Sequence, residues 1–129
     1  MQMQDKIVIN DYIENDPLSK ENLDKTLETV NEIRLLFPNK SIWIYSGYQL
    51  EECQPFSENG LLKGSKFAPK LQKILQKRYE IISKCDVMVD GRYIDSQRDV
   101  TLKWRGSKNQ RVIDIQQSLK RSEVILYCE

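Results

Sequence analysis

Apolar positions follow two different spacings along this chain. Short runs rich in β-branched residues predict buried strands over 7–9, 41–45 and 86–90. Between these runs, apolar residues recur at intervals of three and four positions, which predicts amphipathic helices over 19–37 and 69–83. The order strand, helix, strand, helix, strand is typical of a parallel sheet with crossover helices. The pattern therefore predicts an α/β fold with a mostly parallel sheet and helices on its outer face.

Individual residues predict where the two helices begin, end and face the core. Ser19 is a suitable N-cap for the first helix, and Pro38 is its stop. The apolar stripe of that helix runs as far as Leu36 or Phe37. The second helix is predicted to turn the following side chains inward: Leu71, Ile74, Leu75, Tyr79 and Ile82.

The remaining segments predict a loop and further extended structure. Residues 55–65 are polar and contain glycine, which predicts a loop and the most mobile part of the chain. Residues 100–104 and 111–115 are predicted to be extended, and 123–127 to form a last strand. With 129 residues and no internal repeat, residues 1–129 are predicted to form a single domain.

Composition and charge exclude several function classes. The net charge of +1 provides no overall field that would attract nucleic acid or an anionic membrane. No run approaches the roughly 18 consecutive apolar residues of a membrane span. The first residues have no signal-peptide pattern. We therefore expect a cytoplasmic protein that binds neither nucleic acid nor membrane.

The chain contains no histidine and only three cysteines, Cys53, Cys85 and Cys128. Without histidine, a Ser–His or Cys–His nucleophile cannot form within this chain. The cysteines are far apart in sequence and form no CxxC-type pair, so their spacing predicts neither a zinc site nor an iron–sulfur loop. Three isolated thiols fit a reducing compartment. The residues therefore predict no catalytic group and no metal ligand.

Two polar turns follow the second and third predicted strands, at 46–48 and 90–92. Ligands of parallel sheets bind beyond the carboxyl ends of the strands, so both turns are expected at one edge of the sheet. One interpretation is that glycine in these turns merely lets the chain leave the strand. Tyr48, Asp90 and Arg92 beside the glycines favour a binding site.

A dense polar segment, RGSKNQR at 105–111, follows an apolar and aromatic stretch that ends at Trp104. Arginine offers a planar pair of donors, and asparagine and glutamine both donate and accept. Such a segment suits a carboxylate, a phosphate or the backbone of a partner. The alternative is a solvated turn held by its own hydrogen bonds. For Trp104 a place in the core is favoured over a role as a stacking platform.

Three strings together resemble one family. SIWIYSGY at 41–48, DVMVDGRY at 86–93 and LKWRGSKNQRVID at 102–114 are similar to those of activating proteins of anaerobic ribonucleotide reductases, and the resemblance covers about 15–119. The combination of VDGR with RGSxNQR is specific, whereas either string alone is weak. The resemblance implies a radical-SAM-type barrel, here partial. It also implies an enzyme that uses S-adenosylmethionine and a [4Fe–4S] cluster to generate a glycyl radical on the large subunit of the reductase.

The chain departs from this family at the cofactor site. The CxxxCxxC loop that binds the cluster has no counterpart, and the family's Gly-Gly-Asp/Glu-Pro segment reads ENDP at 14–17. Glu14 in place of glycine would crowd a ligand that needs close backbone approach. We therefore expect this chain alone to bind no cluster and to be inactive. A truncated product, a piece of a longer protein, a mis-assigned start and a degenerate paralogue all remain open, as does a non-catalytic module that docks on the reductase.

Residues and resemblance together give two candidate sets. The cofactor-binding set is Asp16, Pro17, Ser46, Gly47 and Tyr48. The partner-binding set is Asp90, Gly91, Arg92, Arg105, Gly106, Ser107, Asn109, Gln110 and Arg111. A missing first strand would leave a sheet edge with unpaired backbone groups. Homodimerisation or aggregation through that edge is therefore a further hypothesis.

Overall fold

The computed structural model describes residues 5–55 and 68–128. Within these ranges the chain forms one five-stranded sheet, in the order β1-β2-β3-β4-β5, and three α-helices. The strands are β1 (Lys6–Val8), β2 (Ser41–Ser46), β3 (Val87–Asp90), β4 (Arg111–Asp114) and β5 (Leu126–Cys128). The helices are α1 (Leu23–Leu36), α2 (Ala68–Ser83) and α3 (Ile115–Arg121). No helix in the described part of the chain is long and apolar enough to cross a membrane.

The sheet is parallel in its first half and antiparallel in its second. β1 pairs parallel with β2, and β2 pairs parallel with β3, as α1 and α2 provide the crossover connections. β3–β4 and β4–β5 are antiparallel. The prediction of an α/β fold is confirmed, but the parallel arrangement holds only for the first three strands. The reason is the connection 91–110, which contains no crossover helix and returns the chain from the edge where β3 ended.

Both faces of the sheet are covered by apolar groups. The larger core lies between the sheet and the helices and includes Ile44 and Met88 from the strands and Val30 from α1, all fully buried. On the opposite face Trp43 is buried beneath Trp104, with ring centroids 5.1 Å apart. Trp104 thus packs against the smaller apolar cluster on this face, as the sequence analysis favoured.

The start and end of α1 differ from the prediction. Ser19 does not cap the helix, because its hydroxyl donates to the carbonyl of Asp16 at 2.8 Å. A 3₁₀ turn at Lys20–Asn22 intervenes, and α1 begins at Leu23. At the other end Leu36 and Phe37 are 61% and 44% exposed, so the buried stripe ends earlier than predicted.

The C-terminal third departs furthest from the prediction. Residues 100–104 form turns and bends instead of a strand, and 115 begins α3, which the sequence did not predict. The side chain of Asp114 caps this helix by accepting from the amide of Gln117 at 3.1 Å. The last strand is confirmed but shifted to Leu126–Cys128. The predicted loop at 55–65 lies outside the described residues except for Pro55.

Ile44 provides a direct check of the core. We expect Ile44→Ala to lower the free energy of unfolding by about 2–5 kcal/mol, because the side chain is fully buried at the centre of the sheet. Leu35→Ala is the matched control, since Leu35 is 81% exposed and should change stability by less than about 0.5 kcal/mol. Urea unfolding measures both. Equal effects of the two substitutions would mean that this face is not the core.

Candidate functional site

A pocket of about 600 Å³ opens at the carboxyl ends of β2 and β3. Its walls include the turn that follows β2, with Gly47 and Tyr48, and the turn that follows β3, with Gly91 and Arg92. The sequence predicted these two turns at one edge of the sheet, and the structure brings them together. Asp16, Ser19, Gln49, Glu52, Ile94 and Asn109 complete the lining.

Asp16 fastens one wall of the pocket to the end of β2. Its carboxylate accepts a hydrogen bond from the hydroxyl of Ser46 at 2.8 Å and one from the backbone amide of Gly47 at 2.8 Å. It also accepts from the amide of Leu18 at 2.9 Å, which closes the turn around Pro17. An ionised carboxylate with three donors makes strong contacts, so Asp16 fixes the relative position of two of the predicted cofactor-binding segments.

Asp90 fastens the other end of the turn after β2. Its side chain is 1% exposed and accepts from the amide of Leu50 at 2.8 Å. Arg111 on the neighbouring strand donates to it from Nε at 2.9 Å and from Nη2 at 2.5 Å. The same guanidinium reaches Glu51 at 2.6 Å. One ion pair therefore joins β3, β4 and the 3₁₀ turn Leu50–Cys53.

These contacts shift the pKa values of Arg111 and Glu51. The hydrogen bonds that Arg111 donates to Asp90 and Glu51 raise the pKa of its guanidinium above the ordinary value, against the opposing effect of burial. The hydrogen bond from Arg111 lowers the pKa of Glu51, against a smaller opposing effect of burial. Both shifts favour the charged forms of Arg111 and Glu51.

The polar segment 105–111 makes most of its hydrogen bonds inside the protein. The amide oxygen of Gln110 accepts from the backbone of Gly106 at 2.9 Å and of Ser107 at 3.1 Å, and its amide nitrogen donates to the carbonyl of Gly91 at 3.0 Å. Arg105 donates to the carbonyl of Gln110 at 2.6 Å. The segment therefore ties the end of the loop 91–110 back to its beginning.

Asn109 and two glycines complete this loop. Asn109 accepts from the hydroxyl of Ser107 at 2.6 Å and donates to the carbonyl of Arg92 at 2.7 Å. Gly91 has a φ of +96°, which glycine adopts without strain. A Cβ on Gly106 would lie 3.2 Å from the ring of Tyr93, so the small residue permits close packing.

Comparison with known proteins decides the family. A family described as a 4Fe-4S single cluster domain matches residues 15–113, which is most of the chain. The chain belongs to this family.

Curated relatives refine the assignment and confirm the resemblance. The chain is 32% identical over 97 residues to the anaerobic ribonucleoside-triphosphate reductase-activating protein of Escherichia coli (strain K12), a match that covers 75% of this chain and 49% of that protein. The protein of the same name from Vibrio cholerae is 35% identical over 95 residues, covering 74% and 48%. The phage T4 protein is 29% identical over 97 residues, covering 75% and 47%. The chain therefore spans about half the length of these relatives. No solved structure matches it significantly.

The thiols of this 4Fe-4S family member do not provide a cluster site among the described residues. Cys53 and Cys85 are buried, and burial raises the pKa of each thiol to about 12. Cys128 is partly exposed on β5. No group of three or more Cys, Asp, Glu or His side chains in the described ranges could hold a metal. The residues present there therefore do not fit a [4Fe–4S] cluster, which needs thiolate ligands.

Asn15 gives the turn before Asp16 a backbone conformation that glycine favours. Its φ is +64°, in the left-handed region that glycine favours and that asparagine tolerates better than other residues. Glu14 is exposed and does not line the pocket, and its carbonyl accepts from the side chain of Asn22 at 2.8 Å. Position 15 therefore has a backbone conformation suited to glycine, the residue that the resemblance implies there.

Arg78 on α2 is a site residue that the sequence interpretation missed. Its side chain is buried, its Nε donates to the carbonyl of Leu18 at 2.8 Å, and its guanidinium carbon lies 3.9 Å from the centroid of the Tyr48 ring. It therefore connects Leu18, next to Pro17, with the turn that follows β2. The signal was available, because position 78 continues the inward spacing of Ile74 and Leu75. Tyr79, the predicted inward residue, is 36% exposed.

The ion pair of Asp90 with Arg111 makes a stability prediction. We expect Arg111→Ala to lower the free energy of unfolding by about 3–5 kcal/mol, because Asp90 would remain buried without its guanidinium partner. Glu51→Ala is the matched control. It removes the exposed partner of the same arginine and should cost less than about 1 kcal/mol. If urea unfolding gave the same small loss for both, the pair would not hold the three elements together.

Asn15 makes a prediction about backbone conformation. We expect Asn15→Val to destabilise the fold by about 1–2 kcal/mol, because a β-branched residue is strained at positive φ. Asn15→Gly should be stable to within about 0.5 kcal/mol, since glycine adopts this conformation freely. Thermal melting of the two variants measures the difference. A valine variant as stable as the glycine variant would show that this turn is not left-handed in solution.

Proposed function

We propose that this chain acts in the activation of an anaerobic ribonucleotide reductase, and that it forms the part that borders S-adenosylmethionine and faces the reductase. The observation that carries the proposal is the pocket in which the turns after β2 and β3 meet. Those turns contain two of the strings that resemble activating proteins. The similarity to proteins named as reductase-activating over 75% of this chain supports the same assignment.

The pocket suits a ligand of this kind. Its volume of about 600 Å³ lies within the range of roughly 300–1,000 Å³ for small-molecule sites. In this proposal Tyr48 offers an aromatic wall, and Gly47 and Asp16 border the ligand. Ser46 and Pro17 are buried outside the lining, where Ser46 donates a hydrogen bond to Asp16. When bound, S-adenosylmethionine would supply a 5′-deoxyadenosyl radical on one-electron reduction by a [4Fe–4S] cluster held by another segment, with methionine as the leaving group. This chain's own residues shape and orient its site.

We also propose that the sheet is part of a radical-SAM-type partial barrel. Its first three strands are parallel, and the α-helices pack on one face. In the described sheet β1 is an edge strand, so its outer backbone groups are available to pair with another strand. A strand from a longer polypeptide or from a second copy of this chain would satisfy them, and a homodimer is the second of these arrangements.

A second candidate function is a non-catalytic module that docks on the reductase. The observation that favours it is the chemistry of the thiols. Two of the three cysteines are buried with pKa values raised by burial to about 12, and the described residues offer no metal-binding group. Such a module would keep the fold and the reductase-facing surface, and another polypeptide segment would provide the cluster.

Anaerobic reconstitution with iron and sulfide tests whether this chain by itself holds an iron–sulfur cluster. We expect this chain alone to form no stoichiometric [4Fe–4S] cluster by visible absorption and spin resonance, because the described residues bring no three ligand side chains together. We also expect it to leave S-adenosylmethionine uncleaved, while still forming a complex with the reductase large subunit in sedimentation.

If a cluster does form, single cysteine variants show which thiols bind it. A stoichiometric cluster that disappears on replacing Cys53, Cys85 or Cys128 by serine would contradict the expectation. It would show that these distant thiols converge on one site and that the chain is a complete iron–sulfur protein. A cluster that survives each single replacement would reflect iron bound without these thiols.

A further inference from the structure

The loop 91–110 is long for a connection but is held in one shape. It contains only a 3₁₀ turn at Asp95–Gln97 and an isolated bridge between Arg98 and Ser107. Irregular loops longer than about 12–15 residues are uncommon and are usually functional or disordered. Here backbone hydrogen bonds cross the loop, from Lys108 to Gln97 at 2.9 Å and from Asp99 to Gly106 at 3.2 Å. The loop is therefore preorganised.

The two sides of this loop differ in character. Its inner side packs on the sheet through Trp104 and is tied by Gln110. Its exposed residues, here called its outer side, include three large apolar ones within eight positions: Tyr93 is 50% exposed, Ile94 38% and Val100 82%. Apolar groups that a rigid loop holds in water are typical of an interaction surface.

The loop also carries a local positive charge that the whole chain lacks. Between 91 and 110 five residues are cationic and two are anionic, although the chain as a whole has a net charge of only +1. The cations are Arg92, Arg98, Lys103, Arg105 and Lys108, and the anions are Asp95 and Asp99. Both carboxylates accept hydrogen bonds from neutral hydroxyls, of Tyr93 and of Thr101. The field of the loop therefore favours an anionic partner.

Arginines on the outer side are free to meet such a partner. Arg92 and Arg98 are exposed, and neither takes part in an ion pair among the residues that the structure describes. Arg92 and Ile94 also line the pocket, so the outer side of the loop continues directly into the pocket mouth. A partner bound there would present its own chain to the pocket.

We propose that the docking face, formed by Arg92, Tyr93, Ile94, Arg98 and Val100, binds an acidic polypeptide segment that also carries an apolar side chain. The segment would belong to the reductase, so this inference rests on the proposed function. The exposed apolar groups and the interspersed carboxylates favour a polypeptide over nucleic acid, whose binding is dominated by phosphate. Of the partner-binding set predicted from the sequence, the docking face retains Arg92. Arg105, Asn109 and Arg111 make hydrogen bonds inside the protein.

The test is titration of the intact chain with the anaerobic reductase large subunit. We expect the double variant R92E/R98E to bind at least about tenfold more weakly than the unmodified chain at low salt, because two attractions become repulsions. The control variant K25E/K120E makes the same change in net charge on exposed positions of α1 and α3, and should bind within about twofold of the unmodified chain. V100S should weaken binding about fivefold with little change in its salt dependence. Melting temperatures show that all variants are folded.

Three other results would overturn the inference, and they can be told apart. If the unmodified chain binds and R92E/R98E binds equally well, the docking face is wrong and the proposed function stands. If the unmodified chain does not bind the large subunit, the proposed function fails, and the docking face fails with it. If R92E/R98E loses affinity for single-stranded oligothymidine but not for the reductase, the loop serves nucleic acid instead.

Discussion

A buried carboxylate needs a cation, and this need organises the sheet. Asp90 is at the end of β3 with 1% of its side chain exposed, and its partner Arg111 is the first residue of β4. The antiparallel register places 90 opposite 111, on the same face of the sheet. A slip of one residue would turn the guanidinium to the other face and leave the carboxylate unpaired. The ion pair therefore specifies the register, and the register determines how the loop 91–110 must close.

The pocket inherits its shape from two carboxylates that act on backbone amides. Asp16 accepts from Gly47 at one end of the turn after β2, and Asp90 accepts from Leu50 at the other end. Tyr48, between these anchors, rests on the guanidinium of Arg78. The turn is therefore held at both ends and from beneath by charged groups, of which only Asp16 lines the pocket. The affinity of the pocket would respond to these residues through geometry.

Periodicity was sufficient for the first half of the fold and insufficient for the second. β1, β2, β3, α1 and α2 were predicted because their apolar spacing is regular and local. Residues 100–104 were wrongly predicted as a strand. The apolar side chain of Trp104 was taken as a sign of local strand structure, whereas it packs on the distant Trp43. α3 was missed because its start depends on the cap provided by Asp114 and its core contact is mainly Ile115.

The sequence predicted which segments form the candidate site, but not which of their side chains point into the protein. The density of polar groups in 105–111 and the two turns at 46–48 and 90–92 were visible in the sequence. Which polar groups point inward was not visible, because the partners of Gln110 and Asn109 are backbone carbonyls of Gly91 and Arg92, almost twenty residues away. Arg78 was overlooked because charged side chains on helices are usually solvated.

The burial of Cys53 makes its thiol a reporter of how often the turn Leu50–Cys53 opens. Its thiol is in the 3₁₀ turn held by Asp90 and has a pKa raised by burial to about 12. In the closed structure it is almost entirely protonated near neutral pH and sheltered from alkylating reagents. Modification must therefore wait for this turn to open, and the rate of labelling reports how often it does. A ligand or partner that steadies the turn would slow that rate without touching the sulfur atom.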